Sequence, residues 1–104
     1  MSLVVIKQAH KELLKLPKEI KEDVFSLFEE LSHGRILSMP ISRPLPAIGK
    51  GLHELRLTSR SGEFRVFYVI KPMSDIYIIH AMQKKKQQID KRTMNLIQVR
   101  LRNI

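Results

Sequence analysis

The sequence of 104 residues contains no cysteine and no tryptophan. Without cysteine there is no disulfide framework, no thiolate metal site and no thiol nucleophile, which fits a reducing compartment. Long apolar runs are also missing: Leu3–Ile6 is far shorter than a membrane span or the apolar region of a signal peptide. These absences predict a soluble, cytoplasmic protein that makes no contact with a membrane.

Acidic residues are scarce relative to basic ones. The chain has 19 Lys and Arg against 10 Asp and Glu, which gives a formal net charge of +9. Residues 1–52 hold 8 basic and 6 acidic side chains, a balance of +2, whereas residues 53–104 hold 11 basic and 4 acidic ones, a balance of +7. We therefore expect an acidic partner and a basic surface in the second half of the chain.

Length and composition limit the architecture. A chain of this length with 43% hydrophobic residues has room for one small domain, residues 1–104, and little interior for an enclosed cofactor cavity. Its functional site is therefore expected to be a surface or a shallow groove, with no cofactor.

Two helices are predicted in the first third of the chain. The first runs from about Gln8 and is ended by Pro17, which suits the first turn of the second helix. Gly34 is placed to end that second helix. Its apolar residues follow helical spacing and comprise Ile20, Val24, Leu27, Phe28 and Leu31. The two helices should form a hairpin that packs one apolar face on a sheet.

Strands are predicted in the second half. Three candidates, bounded by turn residues, span His53–Thr58, Phe64–Ile70 and Ile76–Met82. The short segments 59–62 and 71–75 between them suit hairpin loops, so the strands should form an antiparallel meander. Leu3–Ile6 is interpreted as a strand at the sheet edge, with an early helical turn as the alternative. Arg35–Gly51, with three prolines and two glycines, is interpreted as an irregular connector.

A last helix completes the predicted fold. Asp90 suits its N-cap, and a narrow apolar stripe follows at Met94, Ile97 and Leu101. The sequence therefore predicts an α+β fold. Two N-terminal helices pack on a three-stranded antiparallel meander with a possible N-terminal edge strand, and a helix ends the chain.

Strand alternation places Arg65 beside Phe67 on the second, partly polar face of the middle strand. An arginine next to an aromatic ring suits a phosphate and a stacked base. The alternative, which periodicity alone favours, is that Arg65 pairs with Glu54 or Glu63 across the hairpin.

Lysines cluster at the end of the last strand, at Lys84–Lys86. Ammonium groups there could clamp a polyanion together with Arg56 and Arg65 on the neighbouring strands. Solvated charge that protects the strand end is the alternative explanation.

The histidines His53 and His80 fall within predicted strands and could move a proton near neutral pH. The apolar strand around His80 favours a structural, hydrogen-bonded histidine. No spacing suits a metal site, and Gly49–Gly51 lacks the pattern of a phosphate-binding loop.

Several short motifs in order resemble the HigB-like branch of the RelE/ParE toxin superfamily. They are Leu45, Gly51–Arg56 (GLHELR), Gly62–Tyr68 (GEFRVFY), Ile78–Lys85 (IIHAMQKK) and Gln87. The resemblance spans most of the chain, including the helical hairpin, and implies a RelE-like fold. It also implies a toxin of a type II toxin–antitoxin module that cleaves messenger RNA, usually on the ribosome.

The resemblance also implies site residues. Arg65 matches the strand arginine that contacts the scissile phosphate, and Arg56 matches a basic position on the next strand. Lys84 and Lys85 match the basic pair at the end of the last strand. The tyrosine that the RelE pattern has after this pair is missing from Lys86–Arg92. The proton-transferring group is therefore open between His53, His80 and a lysine, with His53 placed in the catalytic set. Expected RNA-binding residues are Arg60, Phe67, Lys86, Lys91 and Arg92.

The function expected from these residues is that of an endoribonuclease toxin, or mRNA interferase, that inhibits translation. Its expected partners are mRNA, the ribosome and an acidic antitoxin, a helix-turn-helix protein like HigA. The alternatives are a basic module that binds RNA or protein without cleavage, and a toxin like ParE that inhibits DNA gyrase. The Lys84–Lys85 pair argues against the gyrase alternative.

Overall fold

A computed structural model of the protein describes residues 2–71, 73 and 75–104. The described chain is an α+β fold of three helices and one five-stranded mixed sheet, with strand order β1-β5-β4-β3-β2. The elements are β1 (Ser2–Val5), α1 (Lys7–Leu14), α2 (Lys18–Ser32), β2 (Ser42–Pro44), β3 (Leu52–Ser59), β4 (Gly62–Ile70), β5 (Asp75–Lys84) and α3 (Lys91–Arg102). The predicted fold class is confirmed.

The helical hairpin forms as predicted. Pro17 directly precedes α2, and Gly34 lies just beyond its end with a φ of 83°, a conformation that suits glycine. The apolar stripe of α2 is buried at Ile20, Val24, Phe28 and Leu31, together with Ala9 and Leu13 of α1. Both helices therefore cover the same face of the sheet.

The central meander of β3, β4 and β5 is antiparallel, as predicted. The predicted N-terminal edge strand also exists, but β1 runs parallel to β5, so the sheet is mixed. Within the predicted connector Arg35–Gly51, residues Ser42–Pro44 form β2 on the opposite edge. A strand of three residues is too short to show a periodicity, and prolines lie on both sides of it, so it could not be predicted from the sequence. In the predicted loop 71–75, Pro72 and Ser74 lie outside the described residues.

The sheet has two differently covered faces. Leu55, Val66 and Ile78 face α1 and α2 in the larger apolar core. Leu52, Phe67 and Ile79 belong to a smaller core on the other face, which Ile97 of α3 helps to close. The cap of α3 forms as predicted, since the Asp90 side chain accepts a hydrogen bond from the Thr93 backbone N–H at 2.8 Å. The second face is only partly covered, and its remainder is open to a ligand.

An ionic cluster ties α1, β5 and α3 together. Glu12 accepts hydrogen bonds from both terminal nitrogens of Arg100, at 2.9 and 3.0 Å, and lies 2.9 Å from His80 Nδ1. The pairing of β1 with β5 ends at Ile78. Beyond it, Arg100 donates to the Ile79 carbonyl and the Ala81 N–H donates to Glu12. The cluster therefore supplies hydrogen-bond partners to backbone groups of β5 that no neighbouring strand pairs. His80 is a hydrogen-bonded part of this cluster, which agrees with the structural role that its apolar strand favoured.

Burial alone raises the pKa of Glu12, but the hydrogen bonds from His80 and Arg100 lower it to about 2, from a usual 4.5.

Among the described residues, no helix is long and apolar enough to cross a membrane.

The Glu12 cluster predicts a pH dependence of stability. Because the pKa of Glu12 is lower in the folded chain, its contribution is complete above pH 4.5 and disappears as the pH falls towards about 2. Replacing Glu12→Gln should cost about 3 kcal/mol at neutral pH and little near pH 2, measured by urea denaturation across this range. Glu22→Gln, an exposed site on α2, is the matched control. An equal effect of the two substitutions at every pH would contradict the role of the cluster.

Candidate nucleic-acid interface

A groove of about 660 Å³ crosses the open part of the second face of the sheet. Its floor comes from β2 to β5, and one wall comes from the segment between β5 and α3 together with the first turn of α3. The charged and polar residues that line it are Arg43, Glu54, Arg56, Arg65, Gln83, Lys84, Lys85, Lys86, Gln87, Gln88 and Asp90. Leu45, Ile48, Phe67, Met82, Ile89 and Met94 supply its apolar lining.

The groove is strongly basic. Six of its lining residues are Lys or Arg and two are acidic, which leaves a balance of +4. Alternation along β3 and β4 brings Arg56 opposite Arg65, and β5 ends with Lys84 on the same side. The structure therefore brings together Arg56, Arg65, Lys84 and Lys85 of the predicted catalytic set, and Lys86 of the predicted RNA-binding set.

Arg65 lies in the groove floor, but its guanidinium is only 4% exposed. Its Nε is 3.5 Å from Glu54, its Nη2 is 3.7 Å from Glu63, and its Nη1 donates to the Phe64 carbonyl at 3.0 Å. The pairing across the hairpin, weighed as the alternative in the sequence, is therefore present. Arg65 is held as a buried counter-ion, whereas Arg56 is more exposed to the groove.

Phe67 was expected to stack on a base, but it is completely buried. The ring borders the groove from below, and the His80 ring stacks on it at a centroid distance of 5.9 Å. Because β4 is central in the sheet and α3 packs over this part of it, no surface of the ring is left for a base.

Four other predicted residues do not line the groove. His53 lies on the helix-covered face, where it stacks on Tyr68 at 5.2 Å and its Nδ1 is 3.0 Å from the Gly51 carbonyl. The alternation that points Glu54 into the groove turns His53 away from it. The exposed cations Arg60, Lys91 and Arg92 lie at the β3–β4 turn and at the start of α3.

Apart from the helix cap Asp90, two charged groove residues were not predicted as site residues. Arg43 comes from β2, which was itself missed, and Glu54 is a carboxylate only 5% exposed in the groove floor. The sequence held a signal for Glu54, because strand alternation places it on the same face as Arg56 of its own strand and Arg65 of the next strand. The sequence held no signal that Arg43 is a site residue, because the face of the sheet on which it lies depends on the register of a three-residue strand.

A polar contact on the far side of the sheet fixes β2. Ser42 Oγ lies 2.6 Å from the Tyr68 hydroxyl, and both residues are 1% exposed. Burial raises the pKa of Tyr68 above its usual 10, so the hydroxyl stays protonated at neutral pH. Arg43, next to Ser42, therefore points to the groove side from a fixed backbone.

The groove has the features of a polyanion site that also holds a carboxylate. Asp90, its second acidic residue, is engaged as the cap of α3, and the hydrogen bonds from Thr93 lower its pKa. Glu54 is therefore the carboxylate of the groove that caps no helix, and it is held by Arg65 in the groove floor. No group of three potential metal-ligating side chains comes together within residues 2–71, 73 and 75–104.

The sequence was compared with protein families, and one of them matches most of the chain. The profile of a family described as phage derived protein Gp49-like matches residues 11–102, which is nearly the whole chain. None of the curated proteins compared with the chain matches it.

Solved structures of RelE toxins share the fold. A chain of the RelBE2 toxin–antitoxin complex from Mycobacterium tuberculosis is 22% identical with a TM-score of 0.58, over 80% of this chain and 96% of that chain. Free E. coli RelE with two arginines replaced is 19% identical with a TM-score of 0.54, over 99% and 96%. Isolated E. coli RelE is 20% identical with a TM-score of 0.51, over 84% and 87%. The RelE-like fold is thereby confirmed.

The buried pair in the groove floor predicts a stability effect. Substituting Arg65→Ala leaves Glu54 buried without its counter-ion, which should lower the free energy of unfolding by about 3 kcal/mol in urea denaturation. Arg56→Ala should change it by about 0.5 kcal/mol or less, because Arg56 is half-buried and has no ion pair among the described residues. If Arg65→Ala were as stable as the wild type, the pair would not hold the groove floor.

Proposed function

Because the chain belongs to the phage-derived Gp49-like family, we propose that it is the toxin of a type II toxin–antitoxin module and cleaves messenger RNA. The observation that carries this proposal is the groove, in which five cations lie around the buried pair of Glu54 and Arg65. The RelE fold, seen in solved toxin–antitoxin complexes, supports it. The enzyme is an endoribonuclease that acts on mRNA at the ribosome and so inhibits translation, which places it in the cytoplasm.

The groove suits the backbone of a single RNA strand. Arg56 and the lysines of the β5 end, Lys84 and Lys85, offer charged donors to phosphate oxygens. The groove is open and shallow, as the small size of the domain requires. An open groove lined by cations from several strands binds the phosphates and leaves the bases accessible to the ribosome.

In the proposed reaction, side chains of the groove move both protons. The ribose 2′-hydroxyl gives its proton to Glu54, and the 2′ oxygen attacks the adjacent phosphorus. Negative charge builds on the phosphate oxygens, where Arg56 and Lys84 stabilise it. The bond from phosphorus to the 5′ oxygen breaks, and the Lys85 ammonium protonates the leaving oxygen. The products are a 2′,3′-cyclic phosphate and a 5′-hydroxyl end.

Arg65 acts through Glu54 in this scheme. Its guanidinium lies 3.5 Å from the Glu54 carboxylate and is itself shielded from the groove. It therefore holds the carboxylate in a fixed orientation for proton transfer. Neither His53 nor His80 takes part, because the first lies on the other face and the second is held by Glu12.

The antitoxin is the second partner. A chain with a net charge of +9 attracts an acidic protein segment, and such a segment neutralises the toxin by occupying the same cations that bind RNA. A helix-turn-helix protein like HigA is the expected antitoxin.

Cell-free translation tests the proposal. Purified protein should cut the translated mRNA, detected as new ends by primer extension, and lower protein synthesis. Arg56→Ala and Glu54→Gln should each slow cleavage by about a hundredfold, the typical cost of removing one transition-state contact. Arg102→Ala, an exposed site at the end of α3 outside the groove, should cleave like the wild type.

Circular dichroism of each variant establishes that it is folded. Inhibition of translation with intact mRNA would contradict the nuclease and favour a protein that binds without cleavage. Undiminished cleavage by both groove variants would place the active site elsewhere.

A further inference from the structure

Arg43 is a groove residue whose charge is not used within the chain. It is exposed on β2, and no ion pair or side-chain hydrogen bond of Arg43 is present among residues 2–71, 73 and 75–104. Its partner across the strands is Glu54, which would be the natural counter-ion. That carboxylate is instead engaged by Arg65 at 3.5 Å, so the Arg43 guanidinium is available to a ligand.

The backbone that carries Arg43 is fixed on both sides. The Ile41 carbonyl accepts a hydrogen bond from the Arg56 N–H at 2.8 Å, and the Leu45 N–H donates to the Leu52 carbonyl at 2.9 Å. The buried contact of Ser42 with Tyr68 at 2.6 Å adds an anchor on the opposite face. These contacts hold the three-residue strand in place, and with it the backbone of Arg43.

Spacing determines what Arg43 can reach. Arg43 and Arg56 lie on adjacent strands and two positions apart in register. A strand separation of about 4.8 Å and a rise of about 3.4 Å per residue place their Cα atoms roughly 8 Å apart. This distance is more than twice the rise of about 3.4 Å per nucleotide in a stacked strand. Two arginines at this separation are suited to different phosphates of one strand.

We propose that Arg43 binds a second phosphate of the RNA strand, separate from the phosphate held by Arg56. This inference rests on the proposed function, because it takes the groove to be an RNA site. Arg43 then sets the position of the strand in the groove, and Ser42 and Tyr68 are positioning residues that act through it. The substrate class is a single-stranded RNA with phosphates on both sides of a nucleotide, so that each of the two arginines meets its own phosphate.

The competing explanation is that Arg43 only protects the sheet edge. Charged residues on short edge strands prevent pairing with other chains, and β2 is an edge strand. In that case the position of Arg43 relative to the groove has no consequence for RNA binding. The two explanations differ in a measurable way, because only the first assigns Arg43 to one particular phosphate.

Binding of short 2′-O-methyl RNA, which has no free 2′-hydroxyl and is not cleaved, tests the assignment by fluorescence anisotropy. A series of oligonucleotides each carries one neutral methylphosphonate. For the wild type, neutralisation should weaken binding at two or more separate positions. Arg43→Ala should lose the sensitivity at one of them and keep the others, and Arg56→Ala should lose a different one. Arg43→Ala should also lower the slope of log affinity against log salt by about 0.7.

Two further variants separate charge from geometry. Arg102→Ala removes the same charge outside the groove and should keep the full set of sensitive positions. Ser42→Ala should reduce the sensitivity only at the Arg43 phosphate, an effect that a general loss of stability would not produce.

An Arg43→Ala variant with wild-type salt slope and an unchanged set of sensitive phosphates would overturn the inference and leave the proposed function in place. A wild-type protein that neither binds nor cleaves RNA would overturn the proposed function, and the role of Arg43 with it.

Discussion

The ionic cluster of Glu12, His80 and Arg100 is the contact on which the second face of the sheet depends. It joins α1 on one face to α3 on the other and completes the hydrogen bonding of β5 beyond the end of β1. Arg100 anchors α3 to β5, and α3 covers one part of the second face. The groove crosses the open part of that face. The same contact thus holds in place the helix whose first turn forms a wall of the groove.

Within the groove, charges are divided between the floor and the surface. Glu54 and Arg65 are paired and almost completely buried, whereas Arg56 and the lysines at the end of β5 are accessible. A buried pair contributes little net stability, but it holds its two members in fixed orientations. The accessible cations repel each other in the free protein, and a polyanion relieves that repulsion. Such an arrangement is suited to the binding of RNA and to the transfer of one proton, which are the two requirements of the proposed reaction.

Most of the fold could be predicted from the sequence, because the long elements carry clear periodicity. The stripe of α2, the alternation of β3 and β4 and the cap at Asp90 each depend on local spacing. The site was predicted less completely, because it depends on contacts between elements. That β4 is covered on both faces decided the burial of Phe67, and the packing of the helices on the Leu55 face of β3 separates His53 from the groove. Arg43 could not be assigned at all, since a strand of three residues has no period of its own.

The central claim is that the groove cleaves messenger RNA, and the ends of the RNA in growing cells test it most directly. Wild type and Arg56→Ala are expressed for a few minutes, and new mRNA ends are mapped with a method that identifies 5′-hydroxyl groups. The account predicts growth arrest with new 5′-hydroxyl ends inside translated regions for the wild type only. Arrest without new ends would contradict it, and would direct attention to DNA gyrase or to binding without cleavage.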